Sequence, residues 1–358
     1  MPGLYVHIPY CSVKCAYCDF YSGPLHGFDG ATYVLATLAE LESRRFEVLD
    51  SHDKKFDTIY IGGGTPSALS PELLHPYIAC ADNNAEITVE ANPEDVTPEW
   101  AGALLHAGVN RVSLGIQSLI DSELAAVGRR HNSDRAVDAV KTLRQAGFTN
   151  ISLDLMYGLP GQTFDSWCRS LDGILALSPE HLSAYLLSIE PGTRLHARLL
   201  AGKFKESSDE LIERMYDRLC DAAKSAGFEH YEISNFAQPE KRSHHNSAYW
   251  DFTPYLGLGP GAHSFDGKTR RFNPGDFKKY MQDPAKAFEV EAAEEHSLHN
   301  DRVFTALRTS EGLDPAILTP SELDRARRLL SLTPAGRYRI DESQWLMSNS
   351  IISSFMRV

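Results

Sequence analysis

The stretch Tyr5-Val-His-Ile-Pro-Tyr-Cys11-Ser-Val-Lys-Cys15-Ala-Tyr-Cys18-Asp-Phe-Tyr21 decides how the rest of the chain is read. Three cysteines at C-x3-C-x2-C spacing follow a short β-like run (Leu4, Tyr5, Val6, Ile8), so a loop at the end of a strand can turn three thiolates toward one point. A closed structural zinc site takes four ligands. A cubane cluster has four irons, and three cysteine ligands leave one iron open to another group. The same spacing admits a zinc loop completed by a distant ligand such as His7, or three cysteines that share no ligand.

Outward from the loop, strand and helix patterns alternate. Ala31 to Val48 carries Val34, Leu38 and Leu41 at helical spacing. Asp57-Thr-Ile-Tyr-Ile-Gly62-Gly63-Gly64-Thr65-Pro66 reads as a strand ending in a glycine run, where missing Cβ atoms let the backbone approach a ligand. That run has neither the Lys-Ser/Thr of a phosphate loop nor the spacing of a dinucleotide site. Glu86 to Ala91 is a strand ending near Glu90, and a helix from Thr97 or Pro98 to Ala107 follows. Arg111 to Ser118 is a strand ending in Gln117; a helix-like stretch then carries Arg129 and Arg130, and Ser133 to Ala146 is a helix. Ile151 to Tyr157 is a strand bearing Asp154, Phe164 to Leu177 a helix, and His181 to Leu187 the last strand of the series.

Six strand-then-helix units predict an α/β fold, a partial (β/α)6 TIM-like barrel over residues 1–190, too short to close into eight. Sites in parallel α/β architectures form at the C-terminal ends of strands. Polar residues at those ends fit one ligand pocket, although each alone could be an ordinary cap. Residues 191–283 read as a barrel extension with a long amphipathic helix from Asp209 to Gly227. A stretch rich in histidine and aromatic residues follows, including His244-His245-Asn246-Ser-Ala-Tyr249-Trp250. Residues 284–358 read as a smaller C-terminal α+β, winged-helix-like region with a hairpin over Thr333–Asp341 and a closing helix from Ser343 to Met356.

The chain has 358 residues, 42% of them apolar and 23% charged, which is the balance of a soluble globular protein. The net charge of −13 and the lack of a basic stripe argue against nucleic acid as a partner. No apolar run approaches membrane length, and no signal peptide fits before the cysteine loop. Six cysteines with three clustered do not make a disulfide framework in a chain this size, which points to the cytoplasm. Cys80, Cys168 and Cys220 are expected in helix-like segments as buried small hydrophobes.

The cysteine loop, Gly-Gly-Gly-Thr-Pro, Glu-Ala-Asn-Pro, Ser-Leu-Gly-Ile-Gln-Ser, Asp-Leu-Met-Tyr-Gly-Leu-Pro-Gly and Ser-Ile-Glu-Pro-Gly-Thr occur in that order. Together they resemble the radical S-adenosylmethionine (SAM) superfamily, and within it the oxygen-independent coproporphyrinogen III oxidase (HemN-like) family with its heme-chaperone branch. The resemblance implies a [4Fe–4S] cluster on Cys11, Cys15 and Cys18. It implies a SAM pocket lined by Tyr5, Tyr17, Gly63, Gly64, Thr65, Glu90, Gln117, Arg129 and Asp154, and an electron donor for the cluster. Phe20 stands where the oxidases carry a further cysteine, and only ten residues precede Cys11, whereas the oxidases have a long leading segment. Both departures resemble the chaperone branch, as does H-N-x-x-Y-W at His245, Asn246, Tyr249 and Trp250, which the resemblance implies as heme contacts. The structural alternative is a satisfied histidine with Tyr249 and Trp250 in the core. The expected function is heme binding and transfer to acceptor proteins, respiratory enzymes among them; the alternative is oxidative decarboxylation of coproporphyrinogen III.

Overall fold

The computed structural model describes residues 2–51, 53–292 and 296–357. Six parallel strands come first: β1 (Gly3–Ile8), β2 (Phe56–Gly63), β3 (Ala81–Ala91), β4 (Arg111–Gln117), β5 (Ile151–Tyr157) and β6 (His181–Leu186). They alternate with α1 (Gly30–Arg44), α2 (His75–Ile78), α3 (Pro98–Ala107), α4 (Asp121–Val127), α5 (Ser133–Ala146) and α6 (Phe164–Ala176). β4 and β5 are buried along nearly their whole length, because helices cover one face and side chains fill the other. Local chemistry sets the helix starts. The side chains of Thr97, Asn132 and Thr163 each accept a backbone N–H of the first turn, and Thr163 with Ser166 forms a reciprocal capping box.

The remaining chain adds to both edges of this sheet. α7 (Arg194–Leu200) and α8 (Asp209–Ser225) lead to β7 (Glu229–Glu232) and β8 (Asn235–Ala237), which extend β6 in antiparallel fashion. Then follow α9 (His244–Trp250), β9 (Tyr255–Leu258), β10 (His263–Phe265), β11 (Arg270–Phe272), α10 (Phe277–Gln282) and β12 (Glu289–Val290). β9 lies parallel to β1 on the side away from β2, and β10 to β12 continue outward from it. The order β12-β11-β10-β9-β1-β2-β3-β4-β5-β6-β8-β7 leaves β12 and β7 as edges, so the barrel is open, as expected of six units.

Nothing in the local sequence marks β9 as a strand. Its Tyr-Leu-Gly-Leu reads as part of a glycine-rich loop, yet Gly257 is there because a Cβ would sit 2.0 Å from the carbonyl oxygen of His263 on the neighbouring strand. β3 also begins five residues early, since the polar run Asp82-Asn-Asn carries no apolar alternation to mark it.

The C-terminal part holds α11 (Ser297–Ala306), α12 (Pro320–Leu329), the hairpin β13 (Ser331–Leu332) and β14 (Tyr338–Arg339), and α13 (Ser348–Ser353). It docks on β7 through His230, whose ring lies 4.3 Å from Trp345 and whose Nδ1 is 2.9 Å from Glu342. Cys168 and Cys220 sit in helices, as expected, but are half-buried; Cys80 lies in the turn between α2 and β3, not in a helix. Among the described residues no helix is long and apolar enough to cross a membrane.

Candidate functional site

The cysteine loop leaves β1 at its C-terminal end and is tied down from several sides. Cys11 N–H donates to Gly23 (3.0 Å), Ala16 N–H to Val127 at the end of α4 (2.9 Å), and Ala16 accepts from Leu195 N–H of α7 (2.8 Å). The loop therefore has a fixed path, and all three thiols face one cavity of about 460 Å³. The thiols are free, and they are not among the side chains drawn within 4.8 Å of one another. Four ligands of one zinc ion, each about 2.3 Å from the metal, would lie about 3.8 Å apart. Three free thiols on one cavity, with no fourth cysteine lining it among the described residues, fit a cluster that leaves one iron open better than a closed four-cysteine zinc site.

The glycine run at the end of β2 forms the adjacent wall. A Cβ on Gly64 would stand 2.6 Å from the carbonyl oxygen of Tyr10 and 2.8 Å from that of Ile8, and Gly63 has a φ of +108°. Only glycine lets this backbone lie against the root of the cysteine loop. Thr65 donates its hydroxyl to the Cys11 sulfur at 3.3 Å, coupling the two walls.

The ends of the next strands bring in charge. Glu90 accepts from the Tyr60 hydroxyl (2.8 Å) and from Gly63 N–H (3.0 Å), and burial raises its pKa to about 7. Asp154 accepts from Ser113 (3.2 Å), and burial raises it to about 6. Gln117 follows a bulge in β4 and has a φ of +70°, a conformation that residues other than glycine rarely adopt; its Oε1 is buried without a partner among the described residues. Arg129 donates to Asn92 (2.8 Å), to Gly115 O and to the Cys15 sulfur (3.5 Å), while its Nε has no partner among the described residues. Burial works against its charge, but Tyr17 and Cys15 beside it more than compensate, so the guanidinium stays charged. Unspent donors and acceptors beside three free thiols are what a zwitterionic ligand needs.

Eight of the nine residues expected around SAM line this cavity: Tyr17, Gly63, Gly64, Thr65, Glu90, Gln117, Arg129 and Asp154. Tyr5 does not. It is in register with Tyr60, three residues short of the end of β1, and faces a second cavity of about 500 Å³. Sequence reasoning missed Tyr60, Asn92, Arg111, Ser183 and Tyr185, which also line the first cavity. Arg111 is 1% exposed at the start of β4, and its charge opposes those of Glu90 and Asp154. The alternation of β4 and β6 could have pointed Arg111, Ser183 and Tyr185 inward, but not to a ligand.

The H-N-x-x-Y-W motif is helix α9, and it stands between the two cavities. Asn246 lines the first; Tyr249 and Trp250 line the second. His245 is 2% exposed, with Nδ1 2.8 Å from the Thr58 hydroxyl and Nε2 2.8 Å from the Tyr249 hydroxyl. Burial lowers its pKa to about 3, so it is neutral. Glu86 of β3 accepts the N–H groups of His244 and His245, each at 3.1 Å, and clamps the start of the helix. The second cavity is walled by Tyr5, Tyr249, Trp250, Phe252, Tyr255 and Phe265, with His263 and Arg270 among its polar groups. Phe20, 64% exposed, borders both cavities.

A family model described as the radical SAM superfamily matches residues 5–173. Heme chaperone HemW of Mycobacterium tuberculosis (strain CDC 1551 / Oshkosh) is 35% identical over 346 residues, covering 92% of this chain and 87% of the relative. Heme chaperone HemW of Escherichia coli (strain K12) is 33% identical over 378 residues, covering 99% and 97%. Among solved structures, the coproporphyrinogen III oxidase HemN of Escherichia coli superposes with a TM-score of 0.81 over 99% of this chain and 90% of that one; at 21% identity it shows a shared fold.

Proposed function

The chain belongs to the HemW family of the radical SAM superfamily, and from this premise we propose that it is a heme chaperone, binding heme and passing it to acceptor proteins. The superfamily implies a [4Fe–4S] cluster and SAM. We assign the cluster to Cys11, Cys15 and Cys18, whose bound form would supply an open iron and an electron to SAM. Gly63, Gly64 and Thr65 would pack against SAM, Arg129 would pair with its carboxylate, and Glu90 and Asp154 would meet its amine or ribose hydroxyls. Gln117 and Tyr17 would complete that pocket.

The observation that carries the heme reading is the placement of α9, with Tyr249 and Trp250 on an aromatic cavity next to the cluster cavity. Flat aromatic walls suit a porphyrin face. His245 supports Tyr249 from behind, and Asn246 reaches the first cavity. Respiratory enzymes as acceptors, an electron donor for the cluster and a cytoplasmic location complete the proposal.

The test is anaerobic. The cluster is reconstituted, SAM is added, and heme is titrated while spectra are recorded, beside a protein with no heme site. Saturation at one heme per chain supports the chaperone. No binding above the control, or consumption of coproporphyrinogen III to protoporphyrinogen, overturns it.

A further inference from the structure

Resting on the heme reading above, we propose that heme is held in the second cavity, between β9, β10 and α11, with His263 as its iron ligand and Arg270 paired with a propionate. The cavity, of about 500 Å³, falls within the range of about 300–1,000 Å³ that holds compact organic ligands. Its walls are ring faces set edge to face: Tyr249 and Tyr255 lie 4.5 Å apart at 78°, and Phe252 and Phe265 5.4 Å apart at 90°. A flat apolar macrocycle is the ligand class such walls receive.

Three histidines stand in or behind these walls, and two are already committed. His7 uses Nε2 on Tyr21 O (2.8 Å) and Nδ1 on the Tyr5 hydroxyl (3.0 Å). His245 uses both nitrogens, on Thr58 and Tyr249. His263 is different. It is solvent-exposed, its ring rests 5.8 Å from Phe272, and among the described residues no group hydrogen-bonds either of its nitrogens. A free imidazole at the edge of an aromatic cavity can ligate iron without breaking a protein bond.

Arg270 supplies the complementary charge. Its Nε is held by Asp301 of α11 at 2.9 Å, which fixes the guanidinium and leaves its terminal nitrogens for a carboxylate. The guanidinium also lies 5.4 Å from the Phe265 ring, at the cavity wall. Heme carries its iron at the centre of a flat ring and carboxylates on one edge, so one ligand satisfies both residues.

The test uses the full, cluster-reconstituted chain and ferric heme, read by absorption and EPR. His263→Ala should weaken binding more than tenfold and lose the imidazole-ligated spectrum, while the cluster absorption stays. Free imidazole should restore the spectrum, and His263→Cys should replace it with a thiolate-ligated one. Arg270→Ala should weaken binding without changing the ligand field, and His244→Ala, outside the cavity, should behave as the parent. If His263→Ala binds with the parent's affinity and spectrum, the assignment is wrong even though the chaperone reading stands. If the parent binds no heme, both fall.

Discussion

Replacing Glu86 with alanine tests how α9, the helix proposed to carry heme contacts, is held. The two carboxylate oxygens of Glu86 accept the N–H groups of His244 and His245, each at 3.1 Å, at the positive end of α9. Seven residues are too few for a helix to persist unsupported, so α9 depends on this clamp and on the Ser243 cap. A hydrogen bond to a charged group contributes about 1.5–3 kcal/mol. His244 is exposed and its amide regains water, whereas His245 is buried, so the loss falls mainly on one bond and comes to about 2–3 kcal/mol. With an unfolding entropy of about 2.1 cal/mol/K per residue, hence about 0.75 kcal/mol/K for 358 residues, the melting temperature should fall by roughly 3–4 °C. Glu86→Gln keeps one acceptor and should lose about half as much. Tyr249 and Trp250 ride on α9, so heme affinity should fall in step while cluster absorption is retained. Thermal unfolding, hydrogen exchange of the α9 amides and heme titration read the three effects. An unchanged melting temperature with unchanged exchange in α9 would refute the clamp.

Other perturbations test the first cavity. Gly64→Ala drives a Cβ to 2.6 Å from the Tyr10 carbonyl oxygen, and relieving that overlap costs about 1–3 kcal/mol; iron content after reconstitution should drop while circular dichroism stays native. Arg129→Lys removes a planar donor set that bonds Asn92, Gly115 and Cys15, and calorimetry should show SAM binding weakened by roughly tenfold, about 1.4 kcal/mol. Glu90 and Asp154, raised to about 7 and about 6, ionise as pH climbs through that interval, so SAM, a sulfonium cation, should bind more tightly from pH 6 to pH 7 and above. Glu90→Gln should flatten the upper part of that profile. Without SAM the sign reverses for stability: between the ordinary 4.5 and about 7 the folded state binds more protons at Glu90 than the unfolded chain, so stability falls as pH rises, and unfolding scans across that range check it.

The barrel strands were legible because each ends a local apolar run with a turn or a polar residue, and the cysteine loop because its chemistry lies within eight residues. What escaped depends on contacts distant in sequence. β9 is a strand only because β1 offers it an edge, and Gly257 conceals it by being chosen for the approach of β10. Tyr5 goes to the second cavity although its register partner Tyr60 lines the first, because β1 has β9 on its other side and the Tyr5 hydroxyl meets His7 there. His245 lies between cavities because Thr58 and Glu86 of two strands and Tyr249 of its own helix satisfy it, and no spacing in the motif encodes those partners.

Hand-over itself is tested most directly by transfer kinetics. Heme-loaded, cluster-containing protein is mixed with the apo form of a heme-dependent respiratory enzyme, and the acceptor's heme spectrum is followed as acceptor concentration rises. A chaperone predicts a rate that grows with acceptor concentration and exceeds release into an excess of an unrelated apo-scavenger. A rate independent of the acceptor and equal to spontaneous release would mean the protein only stores heme, and the account would fail.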